Sequence, residues 1–360
     1  MSAHDIDSQV LNLNFNLESE LERPSASFNF NADYARMLLH IQMACSNNPY
    51  LLDSIANLIA TSVRSATDNC LFKLTDESAF HQLRDVGFGQ LRPILSPQQL
   101  TEIHDFLSNM PVYAAHNAAY ASHGTLNRSE LRTEPQLSYK YEDLIRTPHV
   151  LELAVNPHIL GVVSNYLGCL PIISEINLLW SNPAGRVAKY GQTYHRDLND
   201  FKWVTMFVYL TDVDTNSGPH CFIPGTHRMD LFTNLLQQKL ASPTIRQVAI
   251  NHGIDLNQLP MSAYEHSYQK LDKFYDAAFK DCTHEICGPA GTVILEDSKG
   301  LHFGKPPFSK ERLTMWVVYG MYKNNCNIHS TLKPLPFSDV SHRISSDSAT
   351  RYVTQLMFPE

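Results

Sequence analysis

Seventeen histidines occur in the 360 residues, and His195 alone is followed two positions later by an acid, Asp197, in the run YHRDLND. In an extended segment residues i and i+2 project from the same face, so His195 and Asp197 can reach one ion together. Two imidazoles and one carboxylate on one face of an octahedron are the ligand set of non-haem Fe(II) oxygenases, and they leave positions open for a co-substrate and dioxygen. The second imidazole must come from another strand. His302 is the candidate, because GTVILEDSKGLHFG sets it just past an apolar strand and a glycine turn. His284, His329 and His342 are other distal candidates, but none lies between such a strand and an arginine-led one.

Ten residues beyond His302, ERLTMWVVYG opens a strand with Arg312 and Thr314 on one face. A guanidinium fork with a hydroxyl two residues along can grip a carboxylate bidentately. The distal carboxylate of 2-oxoglutarate is the natural guest, its keto-acid end chelating iron. Taken singly, each element has an ordinary explanation: a solvated His–Asp pair, a salt-bridged edge arginine, a capped loop histidine. Their joint order along the chain favours the metal.

Positioning these groups requires short strands. PIISEINLLWSN, FKWVTMFVYL, CFIPG, GTVILED and RLTMWVVYGMYK are β-branched or aromatic runs separated by turn residues. In the second, Val204, Met206, Val208 and Leu210 fall on one face and Trp203, Thr205, Phe207 and Tyr209 on the other. Many such strands in one domain predict a mainly β double-stranded β-helix, a jelly roll or cupin-like core, carrying N-terminal helices. A helical insertion at about 229–285 interrupts it, in LFTNLLQQKLA, TIRQVAINHGI and SYQKLDKFYDAAF. Upstream, residues 1–30 read as a loose leader and 32–66 as two helices joined by SNNP. ESAFHQLRDVGFGQLRPIL then reads as helix, glycine turn and strand, and Ser96 caps a helix with Pro97 at its first position. The expected organisation is an extension over 1–74, the oxygenase domain over 75–330 and a tail over 331–360 that packs on it.

Composition limits the partners. With 43% hydrophobic and 18% charged residues the chain can bury a sizeable core. A net charge of −8 and no run of Lys and Arg disfavour nucleic acid and anionic membranes, leaving a small-molecule substrate. Seven scattered cysteines without a CxxC read as reduced thiols; with no signal peptide and no ~20-residue apolar span, a cytoplasmic location is expected. A homo-oligomer is compatible with all of this.

From about Thr75 to Lys323 the sequence resembles the phytanoyl-CoA dioxygenase family of Fe(II)/2-oxoglutarate oxygenases. The resemblance rests on FHQLRDVGFGQLRPILSPQQLTEI, QTYHRD, TDVDTNSGPHCFIPGTHR and GTVILEDSKGLHFG, with GPHCFIPGTHR the most specific. It implies iron held by His195, Asp197 and His302, 2-oxoglutarate held by Arg312 with Thr314, and dioxygen consumed. The implied outcome is hydroxylation of an unactivated C–H bond, with release of succinate and CO2. A carboxylate at Asp197 favours this over halogenation, for which related enzymes carry a small residue. Epimerisation, desaturation and ring closure share the same oxidising step and stay open. The long insertion and the first 75 residues have no counterpart, so the family's acyl-CoA substrate is not carried over; both segments suit a lid or an oligomer contact. Tyr194, Trp203, Tyr209 and Trp316 fall near the site or in the core, and Arg186, Lys189 and Arg196 meet an anionic substrate or lie on a solvated face. His220 and His227 are expected to hydrogen-bond within their turn. Two rivals remain: a cupin-type isomerase or non-oxoglutarate dioxygenase without need of Arg312, and a catalytically silent binding protein on the same fold.

Overall fold

Every strand pairing among the described residues is antiparallel. The computed structural model describes residues 49–115, 128, 133–183, 188, 190–197, 199–254, 268–321, 332 and 334–359. The expected leader, the first expected helix, Arg186, Lys189 and His329 therefore lie outside the described residues.

Helix α1 (Pro49–Ala66) turns Leu52, Ala56 and Ala60, at four-residue spacing, into the core. Helix α2 (Glu77–Val86) starts where the Asp76 carboxylate accepts from the Ala79 N–H and stops at Gly87, whose φ of 96° suits glycine. The chain runs straight into β1 (Phe88–Leu91). Helix α3 (Pro97–Ser108) carries the expected Ser96 cap, closed into a capping box by Gln99. Strands β2 (Val112–Ala114) and β3 (Gln136–Tyr139) come next, then α4 (Tyr141–Arg146), α5 (Val150–Ala154) and α6 (Pro157–Leu167).

The barrel strands follow: β4 (Ile172–Ser181), β5 (Val204–Tyr209) and β6 (His220–Phe222). Helices α7 (Met229–Leu240), α8 (Pro243–Asn251) and α9 (Tyr268–Phe279) form the insertion. Strands β7 (His284–Ile286), β8 (Val293–Glu296), β9 (His302–Gly304) and β10 (Arg312–Gly320) complete the barrel, and α10 (Ser348–Thr354) ends the chain. A seven-stranded sheet in the order β1-β8-β5-β10-β4-β3-β2 faces a three-stranded sheet, β7-β6-β9. The molecule is a jelly roll with helices.

Alternation decides what each face of the large sheet does. Val204, Met206 and Val208 with Leu313, Met315 and Val317 join the main apolar cluster with α1, α2, α3, α5 and α6. Tyr209, Ile294, Phe222 and Ile286 meet between the two sheets, packed by Phe207. That leaves the alternate residues, Arg312, Thr314 and Trp316 of β10, on the interior side of the barrel. The C-terminal segment is stapled on where Nε and Nη2, one edge of the Arg343 guanidinium, donate to the two carboxylate oxygens of Glu152 of α5 at 2.8 and 2.7 Å.

The insertion packs its own apolar cluster, with Phe232, Phe274, Tyr275 and Phe279, against Tyr194, Ile223, Leu301 and Phe303. Tyr194 and Phe303 are chain neighbours of His195 and His302. Phe274 is fully buried there. Phe274→Ala is expected to lower the unfolding free energy by about 3–5 kcal/mol, measured by urea denaturation.

Candidate metal centre

The residues expected to hold an ion meet through backbone pairing. The His195 N–H donates to the His302 carbonyl at 2.9 Å, the His302 N–H returns the bond to His195 at 3.0 Å, and the Asp197 N–H donates to Ser298 at 2.9 Å. His302 thus opens a strand of its own, β9, whereas the sequence suggested only a position beyond a turn. The imidazole rings of His195 and His302 lie 4.2 Å apart.

Both rings are oriented in the same way. Nδ1 of His195 bonds the Thr193 carbonyl at 2.7 Å, and Nδ1 of His302 bonds the Gly300 carbonyl at 2.9 Å. A carbonyl only accepts, so each Nδ1 carries the proton and each Nε2 presents its lone pair. The two Nε2 atoms lie 3.7 Å from Oδ1 and Oδ2 of Asp197 respectively. These separations are too long for hydrogen bonds. One ligand atom from each of the three residues falls within 4.8 Å of the others. Ligands at ~2.1 Å from an octahedral divalent ion stand ~3 Å apart, so a small closure would bring this set around one metal. Burial, then the neighbouring His195, lowers the His302 pKa to about 4. That keeps the imidazole in the neutral form a metal needs.

Alternation aims the residue between the ligands outward. Arg196 is buried, with Nε on the Lys299 carbonyl, Nη2 on the Thr226 carbonyl at 3.4 Å and its guanidinium over Phe232. Neither an anionic substrate nor a solvated face is its environment; it ties the ligand-bearing segment to the turn beyond β6. The Trp203 indole donates to Ser298 Oγ at 2.8 Å, behind the same segment. Tyr194 is buried in the insertion cluster, and its backbone N–H donates to Asp272 of α9 at 2.9 Å. Tyr209 is a core residue whose hydroxyl donates to Ile286 and accepts from the His220 N–H. Trp316 is half-buried on the interior face and donates to Glu175 at 3.1 Å.

Arg312 and Thr314 stand on that interior face. Arg312 is 6% exposed; Nη2 donates to Ser181 at 3.3 Å, while Nε and Nη1 are buried without a hydrogen-bond partner among the described residues. The Thr314 hydroxyl is likewise buried and unpartnered. Nη2 also lies against Gly304, where an added Cβ would come within 3.2 Å, so the guanidinium is two residues along β9 from His302. A buried donor without an acceptor costs about 1–3 kcal/mol. Three of them on one wall therefore suit an oxygen-rich anion such as a carboxylate.

His220 and His227 do not bond within their own turn as expected. Nε2 of His227 lies 3.1 Å from the Arg84 carbonyl of α2, and Nε2 of His220 lies 2.5 Å from Glu296 Oε2. Burial pushes the Glu296 carboxyl up to about 8 and the His220 imidazole down to about 3. Sequence reasoning passed over Glu296, which reads as the charged end of a strand.

No family model and no curated protein matches this chain. Among solved structures, the non-heme alpha ketoglutarate dependent carbocyclase SnoK from nogalamycin biosynthesis is similar at 16% identity, over 68% of this chain and 83% of that one, with a TM-score of 0.42. HygX from Streptomyces hygroscopicus, solved with nickel and 2-oxoglutarate, is 13% identical over 73% and 91%, with a TM-score of 0.41. EctD from S. alaskensis, solved with Fe, is 16% identical over 67% and 74%, with a TM-score of 0.40. Likeness at this level concerns the fold alone.

The turn that carries the His302 acceptor is crowded: a Cβ on Gly300 would lie 2.2 Å from the Phe222 ring. Gly300→Ala is expected to cost about 1–3 kcal/mol of stability through overpacking, read from chemical denaturation against wild type.

Proposed function

We propose that the chain is an Fe(II)/2-oxoglutarate-dependent dioxygenase that hydroxylates an unactivated C–H bond of a small-molecule substrate. One observation carries this reading. A two-histidine, one-carboxylate set with its ligand atoms within 4.8 Å of one another opens into the same interior as a buried guanidinium, two of whose nitrogens lack acceptors among the described residues, and a hydroxyl that lacks a partner there too.

His195 and His302 would hold the ion through Nε2 and Asp197 through one carboxylate oxygen, while 2-oxoglutarate would lie between the ion and Arg312. When bound, iron and 2-oxoglutarate together supply the oxidising power for C–H cleavage, with dioxygen consumed and succinate and CO2 released. The protein's part is orientation. The Thr193 and Gly300 carbonyls fix the tautomer of each imidazole and turn it toward the centre. Arg312 offers two parallel N–H donors, and the Thr314 hydroxyl stands beside them to fix the far carboxylate. Asp197 would fill the place that a small residue leaves to a halide in related halogenases, which favours hydroxylation. The same reading assigns residues 1–74 to an N-terminal extension, 75–330 to the oxygenase domain and 331–360 to a tail that packs on it.

Arg312→Lys keeps the charge and loses the fork, so 2-oxoglutarate affinity is expected to fall about 10–100-fold with Fe(II) affinity unchanged. Anaerobic titration followed by the visible band of the iron–2-oxoglutarate chelate measures both. Arg312→Ala should abolish 2-oxoglutarate-dependent succinate formation. Undiminished turnover in that variant would favour a cupin-type enzyme without oxoglutarate, and failure of the wild-type protein to bind Fe(II) would favour a silent binding protein.

A further inference from the structure

We infer that Glu296, braced by His220, is a positioning residue for the distal imidazole of the proposed metal centre, an inference that rests on the reading above. Glu296 ends β8 on the interior face of the large sheet, opposite Thr205 of β5, and is 0% exposed. Its Oε2 lies 2.5 Å from His220 Nε2. His220 is itself immobilised: its backbone N–H donates to the Tyr209 hydroxyl at 2.9 Å, and its ring stacks on Phe207 at 4.3 Å. The other oxygen, Oε1, is buried without a hydrogen-bond partner among the described residues and lies 3.6 Å from Nδ1 of His302.

That placement is informative because His302 Nδ1 already donates to the Gly300 carbonyl. The same proton is flanked by a second, unpartnered acceptor on the barrel side. Any tilt of the ring away from Gly300 would bring Nδ1–H onto Glu296, so the carboxyl group limits the imidazole to a narrow range of planes. His220 keeps Oε1 pointed there by holding Oε2. The His220 and His302 rings stand 5.6 Å apart and inclined by 34°, so both imidazoles share one carboxyl group. Nothing about filling a core calls for this: a buried carboxyl group with an orphaned oxygen is a costly filler, and apolar residues of similar volume would serve better. Loss of partners that orient a ligating histidine typically weakens metal binding 10–100-fold.

The test is Co(II) binding to the full-length metal-free protein, read as dissociation constant and ligand-field spectrum, with chemical denaturation alongside. In the paired variant Glu296→Leu with His220→Leu, stability should hold or rise, the Co(II) dissociation constant should increase about 10–100-fold, and the visible bands should shift. Glu296→Gln, which keeps an acceptor oxygen, should stay within about threefold of wild type by the same reasoning. Glu296→Met alone should show the same loss of affinity and serves if the paired variant does not fold. Wild-type affinity and spectrum in either apolar variant would overturn the inference. Wild-type protein that binds no Co(II) would instead remove the metal centre itself.

Discussion

Two backbone hydrogen bonds, exchanged between His195 and His302, bring together stretches of chain more than a hundred residues apart. Mutual donation of this kind fixes separation and register at once, because a segment slipped by one residue would turn its own imidazole to the opposite face. It also divides labour along the segment that carries His195 and Asp197. His195 and Asp197 face inward, while Tyr194 and Arg196 face outward and are buried among the insertion helices and the turn after β6. The outward residues hold the segment in place so that the inward ones can converge on one point.

From this pairing follows a site assembled in layers of decreasing polarity. Innermost are three groups whose mutual distances exceed hydrogen-bonding range. Around them, backbone carbonyls of Thr193 and Gly300 fix the tautomer, and Trp203 and Ser298 lock the facing segment. Beyond lie the apolar cluster between the sheets and the separate cluster of the insertion. Among the described residues, four of the nine buried side-chain polar atoms without a hydrogen-bond partner, on Glu296, Arg312 and Thr314, lie on the interior wall. In a folded protein such atoms are rare because each is costly, which is why these four support the proposed binding role of that wall.

Much of this was legible in the sequence wherever one physical rule dominates. The two-residue period of a strand connects His195 to Asp197 and Arg312 to Thr314, and it sorts β5 into a helix-facing and an interior side. Ser96, Pro97 and Gly87 marked helix ends because capping and left-handed φ tolerate few residue types. The short strands β2, β3, β7 and β9 were missed, since none of them carries the run of β-branched residues that marks β8. Helix α6 was missed for the opposite reason: it is buried on nearly all sides and shows no polar stripe to reveal a helical period. Arg196 was misjudged because charge was read as exposure, and Glu296 was passed over altogether. Their partners lie far off in sequence, Arg196 on the carbonyls of Thr226 and Lys299 and Glu296 on His220, and only the folded chain brings them close. The family resemblance drawn from GPHCFIPGTHR and its companion motifs found no counterpart in a matching family model.

Iron X-ray absorption on protein loaded anaerobically with one equivalent of Fe(II) addresses the convergence of the three side chains most directly. The account predicts an oxygen- and nitrogen-ligated ion with the multiple-scattering signature of two imidazoles, reduced to one in His302→Ala. A spectrum without imidazole scattering, or one unchanged when residue 302 is replaced, would contradict it.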